Sequence, residues 1–245
     1  MSAFGPVAAF YDELMDVVPY RMWVSYYELL LAHQDVELKT ILDVCCGTGT
    51  MCEMLQAEGY EMTGFDLSAP MIEKARAKAK EQGKTIRYEV ADAAEFELGE
   101  QFDGAFSFFD SLNYIIDPAR LQMAFHQVAK HLKPGGSWIF DLNTKYAFEQ
   151  ELFDQENLKS KSVVKYKWHG DWDPISLLIH VKMKFWVDGK EYEETHVQRA
   201  HPDNEVRDML RAAGFEQIRC FHSYTLNPPR YSSDRLHYTA IKSSD

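Results

Sequence analysis

A glycine-rich turn is the clearest chemical signal in the sequence. Residues 41–44 form an apolar strand pattern, and residues 45–50, with the sequence CCGTGT, lead from it into a helix. Glycines let a ligand approach the backbone closely, and the first turn of a helix offers free N–H donors. The turn is therefore a candidate site for a nucleotide-like ligand, although a G-x-G after a strand is a weak signal by itself.

Two acidic residues make this signal stronger. Asp66 ends the second predicted strand, 19 residues after Gly47. A carboxylate at that place can accept hydrogen bonds from both ribose hydroxyls of an adenosine. Asp43, near the end of the first strand, is predicted to point back into the turn and fix its amides. Cys52 stands where a dinucleotide fingerprint needs Gly or Ala, which disfavours a nicotinamide-dependent oxidoreductase.

Strand and helix patterns alternate around these residues. Strands are predicted at 39–44, 60–65, 85–90, 104–109 and 137–142, with helices at 50–58, 68–83 and 118–132. Ser68 is a candidate N-cap for the second of these helices. Two short helices broken at Pro19 precede this unit, and a helix at 203–213 with strands at 215–223 and 236–242 follows it. Such alternation predicts parallel βαβ units whose strand carboxyl ends share one edge, where ligands bind.

The pattern changes between the fifth strand and the C-terminal helix. Residues 175–187 alternate between apolar and polar side chains, which indicates a half-buried antiparallel strand. Asp188-Gly189 is a hairpin turn signal, and 161–169 and 190–199 are the predicted neighbouring strands. The predicted organisation is N-terminal helices and an α/β core in residues 1–143, an antiparallel β insertion in 144–200, and a helix and strands completing the sheet in 201–245.

Composition limits the function classes. The 245 residues carry a net charge of −12, which disfavours binding of a nucleic-acid duplex by the whole surface. The four cysteines are too few and too clustered for a disulfide scaffold, so a reducing compartment is expected. The N-terminal stretch lacks a signal-peptide pattern, and no run of 18 uncharged apolar residues occurs. We therefore expect a cytoplasmic protein without a membrane partner.

Four motifs in order resemble those of class I S-adenosylmethionine (SAM)-dependent methyltransferases. Residues 43–49 are similar to the family's motif I, residues 65–71 to its D-x-S-x-x-M motif, residues 91–93 to its adenine-contacting motif, and residues 132–136 to its turn before the fifth strand. The resemblance covers about residues 39–143. It implies a Rossmann-like seven-stranded sheet with the antiparallel β insertion as a substrate cap. Cys45 departs from the pattern, since most members carry glycine there.

The resemblance also implies how SAM is held. Asp66 would bind the ribose, and Asp92 and the backbone N–H of Ala93 would bind the adenine. Leu67 and Met71 would sandwich the adenine. The remaining implied contacts are to the methionine moiety, from Gly47, Gly49 and neighbouring Cys45, and to the sulfonium, from Phe109 and Asp110. Three N-terminal aromatic residues would close over the cofactor as in related N-methyltransferases, with helix packing as the alternative reading: Tyr11, Tyr20 and Trp23.

Methyl transfer from a sulfonium mainly needs alignment and exclusion of water, so a metal or a catalytic triad is not expected. Asp110 and Asn113 are candidates to orient the acceptor, and the sequence lacks the [DN]-P-P-[YF] motif typical of enzymes that methylate planar amino nitrogens. On the insertion, His196 is a candidate general base and Arg199 a candidate partner for a carboxylate. Local hydrogen bonding is the alternative reading for all four.

The sequence thus predicts a SAM-dependent methyltransferase acting on nitrogen or oxygen of a small molecule. One alternative is a tRNA-modifying enzyme that docks RNA through lysines of the insertion, namely Lys159, Lys161, Lys165 and Lys167. A second alternative is a SAM-binding protein without catalysis, because cofactor binding and methyl transfer use different residues.

Overall fold

The computed structural model describes residues 7–159 and 161–244, which form eleven strands and seven α-helices. The strands are β1 (Thr40–Val44), β2 (Glu61–Asp66), β3 (Arg87–Val90), β4 (Phe102–Ser107), β5 (Leu132–Asn143), β6 (Gln155–Asn157), β7 (Lys165–Asp173), β8 (Leu178–Val187), β9 (Lys190–Arg199), β10 (Phe215–His222) and β11 (Arg235–Lys242). The helices are α1 (Tyr11–Leu14), α2 (Tyr20–Gln34), α3 (Thr50–Ala57), α4 (Ala69–Glu81), α5 (Pro118–His131), α6 (Lys145–Glu149) and α7 (Asp203–Ala212).

Seven strands form the main sheet in the order β10-β11-β5-β4-β1-β2-β3. Five neighbouring strands run parallel to one another, namely β5, β4, β1, β2 and β3. Strand β11 lies between β5 and β10 and runs antiparallel to both. One apolar layer packs α5 and α7 against the sheet, and the other packs α2, α3 and α4 against its opposite face. This Rossmann-like arrangement confirms the predicted fold class, and it places the carboxyl ends of β1, β2, β4 and β5 along one edge.

The insertion is a separate four-stranded antiparallel sheet in the order β6-β7-β8-β9, called the cap sheet below. Its β8–β9 hairpin turns at Asp188 and Gly189, with φ of 50° and 75°, as a two-residue turn of this type requires. The inner face of the cap sheet packs Val181 and Phe185 against Phe10 and Phe148 in a third apolar cluster. The antiparallel insertion is therefore confirmed.

Several predicted boundaries were wrong. Residues 174–177 form a turn rather than the start of a strand, so Ile175 is 93% exposed and β8 begins at Leu178. The strand predicted at 161–169 lies at 165–173, and β6 was not predicted. The Lys-Pro-Gly-Gly stretch at 133–136 belongs to β5 instead of forming a separate turn. Ser68 occupies the N-cap of α4, but its hydroxyl makes no capping hydrogen bond.

The N-terminal region differs in a similar way. Pro19 does separate two helical segments, as predicted, but the second is the 15-residue helix α2. The first consists of 3₁₀ turns at Val7–Phe10 and Met15–Val17 on either side of α1. Within the described ranges, none of the helices combines the length and the apolar character needed to cross a membrane.

Candidate active site

A cavity of about 700 Å³ lies between the carboxyl edge of the main sheet and the inner face of the cap sheet. Most of the predicted site residues line it: Tyr11, Tyr20, Asp43, Cys45, Gly47, Asp66, Leu67, Met71, Asp92, Ala93, Phe109, Asp110 and His196. Four predicted residues lie outside its lining, namely Trp23, Gly49, Asn113 and Arg199. The cavity has a polar half at the glycine turn and an apolar half under the cap sheet.

Asp66 is positioned by two backbone amides at the end of β2. Its Oδ2 accepts a hydrogen bond from Gly47 N at 2.9 Å, and its Oδ1 accepts one from Ser68 N at 2.8 Å. Burial raises the pKa of the Asp66 carboxyl, and the two amides act in the opposite direction. Each carboxylate oxygen has a second lone pair, so the group is held in a fixed orientation and can still accept from two ligand hydroxyls.

The glycine turn needs left-handed backbone at several positions. Cys45 has φ of 66° and Gly47 has φ of 55°. A left-handed backbone favours glycine, which explains why most methyltransferases with the similar motif carry glycine at the position of Cys45. Gly49 has φ of 77° at the N-cap of α3, and a Cβ there would lie 2.3 Å from Tyr88 Oη. Gly49 therefore permits close packing against Tyr88 behind the turn, and its contact with the methionine moiety stays a prediction.

Asp43 was predicted to hold the amides of the glycine turn, but its hydrogen-bond partner in the structure is a different group. The carboxyl is buried and accepts a hydrogen bond from Cys52 Sγ at 3.2 Å, while the turn amide of Gly47 is held by Asp66. Burial raises the pKa of Asp43 to about 8, with the hydrogen bond from Cys52 opposing and the charge of Asp66 reinforcing the shift. Burial therefore favours the protonated form of the Asp43 carboxyl around neutral pH.

This raised pKa predicts a pH-dependent effect of Asp43→Asn. In the folded protein the Asp43 carboxyl ionises only near pH 8, whereas in the unfolded chain it ionises around its ordinary pKa of 3.8. The wild type therefore loses stability as pH rises between those values, and asparagine does not. We expect the ligand-free variant to be roughly 2–4 kcal/mol more stable than wild type at pH 8 and nearly equal at pH 4. Urea unfolding at both pH values measures this, and an equal difference at both would contradict the assignment.

The N-terminal segment covers the polar half of the cavity. Asp12 Oδ1 accepts a hydrogen bond from Thr48 Oγ1 of the glycine turn at 2.5 Å, and Asp12 Oδ2 lies 3.3 Å from Lys78 Nζ on α4. Val7 N donates to Glu194 Oε1 of the cap sheet at 3.3 Å. These contacts hold Tyr11 and Tyr20 at the cavity wall. They tie the segment to the turn, to α4 and to the cap sheet.

Trp23 lies one layer behind this wall. It is buried against Phe109, with ring centroids 4.3 Å apart, and the guanidinium of Arg235 lies 5.5 Å from its ring centroid. Tyr20 also contacts Phe109, at a centroid distance of 5.2 Å. Trp23 therefore supports the residues that line the cavity, as in the alternative reading of helix packing, and its closure over the cofactor stays a prediction.

A charged cluster lies at the edge of the sheet where β4 and β5 end and the antiparallel strand β11 begins. Asp110 Oδ1 accepts from Arg235 Nη2 at 2.9 Å, and its Oδ2 accepts from Gln198 Nε2 at 2.7 Å. Buried Asp141 accepts from Asp110 N at 3.1 Å and is also bonded by Arg235. Phe109 and Asp110 have φ of 62° and 51°, so consecutive residues adopt a sparsely populated backbone conformation at this point. The cluster holds that strained turn in place.

A second polar chain joins the main domain to the cap sheet. His196 Nδ1 lies 2.9 Å from Tyr114 Oη, and His196 Nε2 lies 2.7 Å from Glu194 Oε2. Since a carboxylate oxygen accepts hydrogen bonds, the fitting tautomer has Nε2–H donating to Glu194 and Nδ1 accepting from the Tyr114 hydroxyl. Burial, and next the charge of Asp110, raises the pKa of Tyr114, so its hydroxyl stays protonated. We call this chain the Glu194–His196–Tyr114 relay; Tyr114 and His196 line the cavity.

Asn113 and Arg199 lie outside the cavity lining and donate to backbone carbonyls. Asn113 is fully buried, its Nδ2 donates to the carbonyls of Asn143 and Arg199 at 3.0 and 2.8 Å, and its Oδ1 accepts from Asn143 N. The side chain of Arg199 donates to the carbonyl of Ser176 at 2.9 Å, at the turn before β8. Asn113 joins β5 to β9, and both side chains make the local hydrogen bonds of the alternative reading. Their roles toward an acceptor stay predictions.

The apolar half of the cavity, called the acceptor chamber below, is lined largely by the cap sheet. Its walls are Phe153, Tyr166, Trp168, Met183 and Phe185. Tyr166 pairs with Phe185 and Trp168 with Met183 in the β7–β8 register, so these four side chains form one continuous patch on the inner face. The relay and the charged cluster lie between this chamber and the glycine turn.

Comparisons with known proteins agree with this geometry. A family model described as a methyltransferase domain matches residues 41–136. YqeM of Bacillus subtilis (strain 168), provisionally named a methyltransferase, is 32% identical over 241 residues, which cover 96% of each chain. The structure of a SAM-dependent methyltransferase from Clostridium acetobutylicum ATCC 824 matches with a TM-score of 0.85 and 27% identity, covering 99% of this chain and 100% of that one. Ubiquinone biosynthesis O-methyltransferase of Hydrogenovibrio crunogenus matches more locally, with 33% identity over 122 residues and 49% of each chain.

The chain therefore belongs to the class I SAM-dependent methyltransferases. It is similar over almost its whole length to YqeM of Bacillus subtilis and to the Clostridium acetobutylicum enzyme. The likeness includes the cap sheet, because it extends well beyond residues 41–136. SAM is the cofactor of this family, and the polar half of the cavity contains the carboxylates and the glycine turn that suit an adenosine.

Proposed function

We propose that this methyltransferase transfers the methyl group of SAM to a nitrogen or oxygen atom of a small molecule. The observation that carries the proposal is that a roofed apolar chamber adjoins the glycine turn inside one cavity. An acceptor bound there is shielded from water and held next to the cofactor, as an in-line displacement requires. The ubiquinone O-methyltransferase among the partial relatives also takes a small molecule.

The residues of the polar half would hold SAM as follows. Asp66 would accept hydrogen bonds from the two ribose hydroxyls, and the glycine turn at Gly47 would contact the methionine moiety. Asp92 and Ala93 would bind the adenine edge, while Leu67 and Met71 would contact its faces. Leu67 is 60% exposed in the ligand-free cavity, which fits a side chain that a planar ligand covers. SAM supplies a methyl group on a sulfonium, whose sulfur leaves without help from an acid.

The remaining groups at the junction would orient the acceptor and take up its proton. Asp110 is neutralised by Arg235 and fixed by Gln198, so it is a rigid acceptor of hydrogen bonds. The relay offers a route for a proton from the acceptor to Tyr114 Oη while the Tyr114 proton moves to His196 Nδ1. Glu194 would stabilise the resulting imidazolium. This assigns His196 the general-base role, exerted through Tyr114.

The tRNA alternative draws on Lys159, Lys161, Lys165 and Lys167. Lys165 and Lys167 lie on the outer face of β7, opposite the apolar patch, and exposed Lys159 and Lys161 precede that strand. Lys182 and Lys184 of β8 are exposed on the same outer face. Lys184 is bonded to Glu193 and lies 3.6 Å from Glu191. RNA docked on this face would be separated from the glycine turn by the cap sheet itself, so we favour a small-molecule acceptor.

We also propose a cytoplasmic location, because the four cysteines are free thiols, as is typical of a reducing compartment.

Label transfer from methyl-labelled SAM tests the proposal. The protein is first titrated with SAM and S-adenosylhomocysteine (SAH) by calorimetry, and we expect micromolar binding of both. It is then incubated with labelled SAM and either the small-molecule or the RNA fraction of a bacterial extract. Label in the small-molecule fraction is expected. Label confined to RNA would favour the tRNA alternative, and SAH binding without any labelled product would favour a non-catalytic role.

A further inference from the structure

We infer that the methyl acceptor is an uncharged aromatic alcohol whose ring fills the acceptor chamber and whose hydroxyl meets the relay. This inference rests on the proposed function and names its substrate class. The chamber wall is almost entirely aromatic or aliphatic, and Met183 and Phe185 are buried even without a ligand. Aromatic rings gain from offset or edge contacts with such a wall beyond the area that they bury.

The charges around the cavity exclude an anionic acceptor. Among the described lining residues the permanent cations are Arg120 and Arg235. Arg120 is bonded to Asp92 at 2.7 Å and Glu95 at 3.1 Å, at the adenine end, and Arg235 is bonded to Asp110 and Asp141. A carboxylate or phosphate on the acceptor would therefore enter the chamber without a cationic partner, which is costly in an apolar site.

The carboxylates of the lining strengthen this exclusion. Besides Asp43, whose protonated form burial favours, they are Asp66, Asp92, Asp110, Asp117 and Asp234, so five carboxylates face two guanidinium groups. A cavity with this balance repels anions, and its apolar walls reduce the screening of that repulsion. Nucleoside diphosphate sugars and carboxylic acids are therefore unsuitable acceptors for this chamber.

The relay distinguishes an alcohol from an amine. A phenolic hydroxyl has a pKa near 10 and keeps its proton at neutral pH, so its methylation needs a proton acceptor. An aromatic amine arrives with a free electron pair and needs none. An aliphatic amine arrives as an ammonium ion without a free electron pair, and the nearby carboxylates and aromatic faces favour that charged, unreactive form. An imidazole supported by a carboxylate and linked to a phenol therefore suits a phenolic acceptor best.

The inferred reaction is balanced in atoms and charge. The bond between the acceptor oxygen and the methyl carbon forms while the bond between that carbon and the SAM sulfur breaks, which leaves SAH. The acceptor proton passes to Tyr114 Oη, the former Tyr114 proton passes to His196 Nδ1, and the imidazolium later releases a proton to water.

Matched pairs of small aromatic alcohols test the inference on the 245-residue protein saturated with SAH. The pairs are catechol with 3,4-dihydroxybenzoate, 2-naphthol with 6-hydroxy-2-naphthoate, and 4-hydroxybiphenyl with its 4′-carboxylate. We expect the uncharged member of at least one pair to bind at least tenfold more tightly than its carboxylate and to accept labelled methyl from SAM. Equal or tighter binding of the carboxylates, or no binding of any uncharged member to a complex that holds SAH, would overturn the inference.

Two variants on β7 locate the binding. Trp168→Leu removes the indole from the inner face and is expected to weaken binding of the uncharged alcohol about tenfold, with SAH affinity unchanged. Lys167→Ala, on the outer face of the same strand, is the control and is expected to change neither affinity. Unchanged alcohol binding by Trp168→Leu would place the alcohol outside the chamber and refute the inference. Failure of the wild type to bind SAH would instead refute the proposed function.

Discussion

Asp66→Ala is expected to reduce the affinity for SAM and SAH by about 100- to 10,000-fold. The proposed ribose contact comprises two hydrogen bonds to a buried ionised group, and each such bond contributes about 1.5–3 kcal/mol. The variant also releases the Gly47 and Ser68 amides that the carboxylate holds at 2.9 and 2.8 Å, so the turn loses its fixed shape. Calorimetric titration with SAH measures the effect without any need for an acceptor.

The control for this variant lies on the same strand. Glu61→Ala removes an exposed carboxylate at the opposite end of β2, where its partner is Lys39 at 2.9 Å, and it is expected to leave SAH affinity unchanged. Circular dichroism and thermal unfolding establish that Asp66→Ala is folded. A folded variant with wild-type affinity would remove Asp66 from the ribose site and weaken the proposed placement of SAM.

The cofactor half of the site was largely predictable because its signals are local in sequence. Residues 40–57 contain a strand, the glycine turn and a helix in direct succession, and this order requires left-handed backbone conformations in the turn. The parallel pairing of β1 with β2 brings Asp66 beside that turn. Asp43 shows the limit of this reasoning. Its position in the chain was evident, but only the packing of α3 shows that Cys52 reaches the carboxyl and that Asp66 takes the amide.

The acceptor half was less predictable because it is assembled from distant segments. Arg235 is 125 residues from Asp110, and their contact depends on β11 running antiparallel beside β5, which no local pattern specifies. Asn113 and Arg199 have side chains that suit catalysis, but buried backbone carbonyls also require donors, and here backbone carbonyls are the partners of both side chains. Glu194 was detectable in principle, since it shares a strand face with His196 two residues away.

His196→Gln is expected to lower the rate of methyl transfer by 10²- to 10⁴-fold while leaving SAH affinity within about twofold, since removal of a general base has an effect of that size. Glutamine keeps polar atoms in the relay but cannot take up a proton. The initial rate of label transfer to the acceptor found in the extract or the alcohol panel measures the loss. The rate of the variant should recover partly at alkaline pH, because hydroxide then removes the acceptor proton.

Two further variants separate a role in proton transfer from a role in packing. Tyr114→Phe interrupts the relay at its other end, and because both changes break one chain, the double variant should be no slower than the slower single variant. His180→Gln alters an exposed histidine on the outer face of β8, the strand beside His196, and should keep the wild-type rate. A wild-type rate in His196→Gln would show that the relay only joins the cap sheet to the main domain. Methyl transfer would then depend on alignment by Asp110, Gln198 and Arg235, with the acceptor proton leaving directly to water.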